Sequence, residues 1–184
     1  MKVLITGYRG FVGQETIRYF ELKGLSWVGL DIMDGVDVRQ GTQVEEHIAR
    51  VIKNAIPDRI DVILHLAAIA RFSEADERRM DAFETNSLGT KNIAAIAQKY
   101  NMRVVYASTG SVYMPIKSEP PIAETFPAVG NSVYGCSKRL GEDYLQLYHS
   151  PWIILRYAHL YGKEKRNHGL IGGFLERIER GLAP

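Results

Sequence analysis

Two kinds of apolar run alternate along the chain. Short blocks rich in branched residues, "KVLIT" (2–6), "SWVGLD" (26–31), "DVILHLAA" (61–68), "RVVYAS" (103–108) and "WIILRY" (152–157), have the length and near-continuous hydrophobicity of strands buried on both faces. "GVDVRQ" (35–40) reads as one further, very short strand. Between the blocks, apolar residues recur at helical spacing. Phe11, Val12, Ile17, Phe20 and Leu22 mark a helix that stops at Gly24, and residues 42–55 form a second, ended by Pro57. Further helices are expected over about 79–99, 134–148 and 169–181.

Strand–helix alternation at this spacing predicts parallel strands joined by crossover helices, an α/β doubly wound parallel sheet of the Rossmann type. Such a sheet binds ligands at the carboxyl ends of its strands, so functional residues are expected just after Thr6, Leu30, Leu66, Ala107 and Leu155. A chain of 184 residues suits a single domain over 1–184.

Composition narrows the partners. A net charge of +2, with basic groups such as "ERR" (77–79) and "KEKR" (163–166) interleaved with glutamate, gives no electrostatic reason to expect nucleic acid or an anionic membrane. The single cysteine, Cys136, excludes an internal disulfide and a cysteine-based metal cage, and no His/Asp/Glu grouping has ligand spacing. No run is long enough for a signal peptide or a membrane span, so a cytoplasmic protein is expected.

The first candidate chemistry is the loop "TGYRGFVG". Gly7, Gly10 and Gly13 stand between a clear strand and a clear helix, where glycine permits a tight turn, close backbone approach to a pyrophosphate and a helix N-terminus facing the phosphates. Asp31 ends the second strand, where its carboxylate can accept from both adenosine ribose hydroxyls and would repel a 2′-phosphate. Arg9 is the one dissenting residue, because a loop arginine could reach that phosphate. The pattern favours NAD over NADP.

"SVYGCSK" (132–138) places Tyr134 and Lys138 on one helix face, but "YFELK" gives Tyr19 and Lys23 the same spacing. Position in the fold separates them: Tyr134 follows the strand ending in Ser108 and Thr109, at the crevice. His65, within an apolar strand, reads as a satisfied core histidine.

Taken together, "TGYRGFVG", "VDV" (36–38), "HLAA" (65–68), "NSLGTKN" (86–92), "YASTGSVY" (106–113), "YGCSK" (134–138) and "ILRYAHLYG" (154–162) resemble the extended short-chain dehydrogenase/reductase family, in its NAD-dependent epimerase/dehydratase branch acting on nucleotide sugars. The resemblance implies Tyr134 as general acid/base, and Lys138 as the cation that holds the nicotinamide ribose and lowers the tyrosine's pKa. It implies Thr109 as hydrogen-bond partner of the reacting oxygen, with Ser108 and Ser111 as alternates, and Asn86 as a supporting residue. It implies a cofactor crevice formed by Gly7, Tyr8, Arg9, Gly10, Phe11, Val12 and Gly13, by Asp31, by Asp37 and Val38 near adenine, by Leu66, Ala67 and Ala68, and by Ala107 and Ser108. Ser111 and His159 are implied on the substrate side, although the family commonly has asparagine at the position of His159. It also implies a homodimer through the helix pair 79–99 and 134–148, and a C-terminal substrate-binding domain of which these residues carry little.

Three functions follow as expectations. The first is an NAD-dependent nucleotide-sugar epimerase or dehydratase, with Gly110 and Ser111 after Thr109 favouring epimerase, because dehydratases of this branch usually have acids there. The second is a reductase of a nucleotide sugar or another carbonyl compound. The third is a non-catalytic NAD-binding module.

Overall fold

The computed structural model describes residues 1–54, 59–113, 121–162 and 169–182. Five strands, β1 (Lys2–Thr6), β2 (Ser26–Leu30), β3 (Val62–His65), β4 (Arg103–Thr109) and β5 (Trp152–Tyr157), form one parallel sheet in the order β2-β1-β3-β4-β5. The order reverses between β1 and β3, which opens a crevice at their carboxyl ends. Thr6 pairs with both Leu30 and His65, whereas β4 and β5 run further, to the pairing of Thr109 with Tyr157. The last two strands thus make a wall beyond the others.

Three expectations are corrected. Residues 35–40 are not a strand: Val36 and Val38 point into the core, but Gln40 N–H closes a turn on the Asp37 carbonyl at 2.9 Å. Their apolar character marks an inward-facing loop and not a paired strand. The expected helix over 79–99 is broken into α4 (Arg79–Phe83), a π-helical turn (Glu84–Leu88) and α5 (Gly89–Lys99), and a short helix α3 (Phe72–Glu77) precedes it. The strands after 61 and 103 end at His65 and Thr109, so Leu66 lies beyond its strand and Ser108 lies within its own. Helix α2 (Gly41–Asn54) matches the expected start; Pro57 and the "KEKR" group lie outside the described residues.

Helix α1 (Phe11–Lys23) ends as its sequence implies. Gly24 adopts φ 64°, and Leu25 N–H reaches back to the Phe20 carbonyl at 2.8 Å. Helix α6 (Val133–Leu147) starts on Ser132, whose hydroxyl accepts from Gly135 N–H at 3.0 Å. Alternate strand residues feed two layers. Leu4, Ile63, Val104 and Tyr106 join Val44 and Ile48 of α2, Ile93 of α5 and Leu145 of α6, while Val3 and Ile5 meet Ile17 of α1. The last helix, α7 (Gly169–Glu179), exposes Ile171, Phe174, Leu175 and Ile178. No helix among the described residues is long and apolar enough to cross a membrane.

Helix α6 lies so close to the sheet that position 141 has no room for a side chain. A Cβ there would sit 2.3 Å from the Tyr106 hydroxyl and 2.9 Å from the Asn86 carbonyl. Gly141→Ala is expected to lower stability by about 2 kcal/mol through overpacking, read as a reduced urea midpoint at unchanged m-value.

Candidate functional site

The glycine loop is built for close approach. Gly7 has φ +67°, and a Cβ there would lie 2.7 Å from the backbone of Ala67, so the turn after β1 presses against the segment after β3. At Gly13 a Cβ would lie 2.4 Å from the Tyr8 carbonyl, so glycine lets α1 start directly under the loop. Gly10 is the N-cap and makes no side-chain cap, which leaves the first turn of α1 to donate from its backbone. Phe11 reaches across the crevice to Gly162, and Val12 is half-buried beneath it. Tyr8 packs on Trp27, ring centroids 5.9 Å apart.

Asp31 is oriented by two backbone donors, Arg9 N–H on one oxygen and Met33 N–H on the other, each at 3.0 Å. The glycine loop and the β2 acid are thus joined directly. Asp37 accepts from Arg39, whose hydrogen bonds hold its carboxyl below the usual range against an opposing contribution from burial. The Val38 side chain belongs to the core, so that position offers the crevice backbone only. Ala67 N–H donates to the Thr6 hydroxyl at 3.2 Å, and Leu66 N–H to the Thr6 carbonyl at 3.2 Å; Ala68 is half-buried beside them.

A chain of buried polar groups runs from this loop to α6. Thr90 donates to the Asn86 carbonyl at 2.7 Å, so it accepts from His65 Nε2 at 3.0 Å, and His65 Nδ1 accepts from Thr6 at 2.7 Å. Burial, aided by the Lys138 charge, depresses the His65 pKa to about 3. The imidazole is a neutral core group with both nitrogens satisfied, as the sequence implied. Asn86, fully buried in the π-helical turn, accepts from Ile69 N–H at 2.8 Å and donates to the Ile69 carbonyl and the Ser137 hydroxyl, each at 3.0 Å. It fastens the segment after β3 to the middle of the "YGCSK" turn.

Tyr134 and Lys138 occupy the face of α6 turned to the sheet. The Tyr134 ring packs edge-on against Phe72 at 5.4 Å, and its phenol lies beside the Thr109 hydroxyl. Thr109 in turn donates to Ser111 at 3.2 Å and accepts from Ser111 N–H at 3.1 Å. Burial raises the Tyr134 pKa and the Thr109 contact partly offsets it. With burial the larger influence, the phenol rests protonated in the protein by itself. Lys138 is 1% exposed, with its ammonium 4.1 Å from the centroid of the Tyr106 ring. Burial lowers its pKa to about 7, partly countered by Glu142. The competing pair is a surface feature: Tyr19 is 56% exposed, with Lys23 over its ring.

Several residues escaped the sequence reading. Glu142, fully buried one turn beyond Lys138, accepts from Ser108 and takes Nε and Nη2 of Arg156 at 3.0 and 2.7 Å. Arg156 also donates to the Tyr113 hydroxyl and, at 3.0 Å, to the Glu124 carbonyl. The spacing Tyr134–Lys138–Glu142 could have revealed the glutamate; its arginine partner is visible only in three dimensions. Ala107 is half-buried between these layers, and His159 is exposed beyond β5.

Residues 3–184 match the NAD dependent epimerase/dehydratase family. The chain is 26% identical over 196 residues to a putative UDP-glucose 4-epimerase of Methanocaldococcus jannaschii, covering 99% of this chain and 64% of that protein. It is 30% identical over 165 residues to a dTDP-4-dehydrorhamnose reductase of Streptomyces griseus, covering 86% and 50%. Among solved structures, the UDP-glucose 4-epimerase of Thermus thermophilus in complex with NAD superposes with a TM-score of 0.82 at 31% identity, over 99% of this chain and 64% of that one. The chain therefore spans about half to two-thirds of the length of these relatives. With the glycine turn, the β2 acid and the Tyr134–Lys138 helix in one parallel-sheet crevice, it belongs to the NAD dependent epimerase/dehydratase family.

Proposed function

We propose that this chain carries the cofactor-binding and catalytic part of an NAD-dependent nucleotide-sugar epimerase. The observation that carries the reading is the Tyr134 phenol in contact with Thr109 at the end of β4, one helical turn from a buried lysine. When bound, NAD supplies a hydride acceptor and, once reduced, a donor. The chain's residues suit that group: the Gly7–Gly13 backbone for the pyrophosphate, Asp31 for the adenosine ribose, and Lys138 for the nicotinamide ribose.

The proton chemistry belongs to the side chains. Tyr134 Oη would take the proton of a sugar hydroxyl and return a proton to the same oxygen later, while Thr109 would hold that oxygen. Burial keeps the Tyr134 phenol protonated, and a positive charge beside it, which the oxidised cofactor would supply, would raise the fraction present as phenolate. Asn86 positions Tyr134 through Ser137, whose hydroxyl donates to the Tyr134 carbonyl at 2.9 Å. Gly110 and Ser111, following Thr109, leave no acid at the position dehydratases use, which favours epimerisation. The likeness to dTDP-4-dehydrorhamnose reductase supports a second reading, net reduction of a keto sugar.

The protein is expected to bind NADH and to interconvert a member of a UDP-, GDP- and dTDP-sugar panel. Tyr134→Phe should lower kcat by at least about a hundredfold while NADH binding survives. Stoichiometric consumption of NADH would establish the reductase reading, and turnover unaffected by Tyr134→Phe would refute both.

Lys138 predicts a pH signature in the cofactor-free protein. Its folded pKa of about 7 lies below the ordinary lysine value, so between those values the unfolded chain binds the extra proton. The penalty is complete below about pH 7 and fades toward about pH 10. Lys138→Met should therefore stabilise the protein most below about pH 7, and its advantage in denaturant midpoint should shrink as pH rises.

Leu140 and Leu147, seven residues apart on α6, are 42% and 73% exposed, which supports a homodimer through this face. Sedimentation should give twice the mass of the 20.7 kDa chain, and Leu147→Glu should shift it toward monomer.

A further inference from the structure

Where the glycine loop meets the end of β2, three side chains close on one another. Arg9 Nε donates to Asp34 Oδ1 at 3.0 Å, and Arg9 Nη2 donates to the same oxygen. The guanidinium carbon lies 5.1 Å from the centroid of the Tyr8 ring, and the Tyr8 phenol lies beside Asp34. Meanwhile the backbone N–H of Arg9 is on Asp31. The guanidinium thus starts beside the acid assigned to the adenosine ribose, yet it is turned onto a different carboxylate. Hydrogen bonds from Arg9 and then Tyr8 hold the Asp34 carboxyl below the usual range, so this anion persists at neutral pH. The other arginine of this region, Arg39, is held by Asp37, Asp81 and Glu84.

A guanidinium is the preferred partner of a phosphate monoester, and its planar fork suits two phosphate oxygens. Arg9, with its side chain half exposed, has the reach and freedom to serve one. We propose that Asp34 is a specificity-determining residue: by engaging Arg9 it withholds the guanidinium beside Asp31 from a ribose 2′-phosphate and adds a second negative charge, selecting the unphosphorylated dinucleotide. The inference rests on the reading of this crevice as the dinucleotide site. It changes the roles of two residues. Arg9 is a latent phosphate ligand kept out of use, and Asp31 is not the sole source of discrimination.

Equilibrium titrations with NADH and NADPH, followed by calorimetry or by nicotinamide fluorescence, test it on the wild type, Asp34→Asn, Arg9→Ala and the double variant. The wild type is expected to prefer NADH. Asp34→Asn should lower the ratio of the NADPH to the NADH dissociation constant by about tenfold, and Asp34→Ser should act in the same direction. In the Arg9→Ala background the effect of Asp34→Asn should fall to about twofold, the residue of simple charge removal. An unchanged ratio in both Asp34 variants that still bind NADH overturns the proposal, as does a full gain that persists without Arg9. A wild type that binds neither dinucleotide overturns the dinucleotide reading itself, and this inference with it.

Discussion

The carboxamide of Asn86 is the joint on which the site depends. A buried primary amide offers two donors and an accepting oxygen, and here the oxygen takes Ile69 N–H while the nitrogen serves the Ile69 carbonyl and Ser137. Leaving any one of these unpaired in the interior would cost about 1–3 kcal/mol. The segment after β3 and the start of α6 are therefore held in a single relative position. The π-helical turn belongs to the same constraint, since Asn86 lies inside the wide turn that separates α4 from α5.

From that joint the polar chain continues through Thr90 and His65 to Thr6 and Ala67, under the glycine turn. Each hydroxyl both donates and accepts, so the chain has one direction and His65 one neutral tautomer. The two halves of the crevice are thereby tied through the sheet itself. One turn further along α6, Glu142 binds Ser108 and Arg156, which fixes the end of β4, and so Thr109, against β5. A buried ion pair of this kind contributes more to position than to net stability, because desolvation offsets much of its attraction.

Lys138 sits between these two systems. Its ammonium has left water for the face of Tyr106, with Glu142 as the countering charge. An ammonium poised near neutrality and a phenol kept protonated by burial form a site whose charge state is completed by what binds there. The same logic operates where the glycine loop meets the end of β2, where two carboxylates and one guanidinium from adjacent loops set the local charge.

The strands, the glycine loop and the Tyr134–Lys138 pair are legible in the sequence because each rests on local periodicity or on residues a few positions apart. Local periodicity also explains the errors. Val36 and Val38 look like a strand because burial, which they have, and pairing, which they lack, leave the same apolar mark. The π-helical turn adds a residue per turn without altering composition, so 79–99 reads as one helix. What only the tertiary structure decided were the partnerships across distance: Asn86 with Ser137, Glu142 with Arg156, Arg9 with Asp34, and the lysine ammonium on Tyr106. Those depend on which strand ends stand side by side. The sequence determined the strands and their chemistry, while the packing of the sheet determined which side chains could meet.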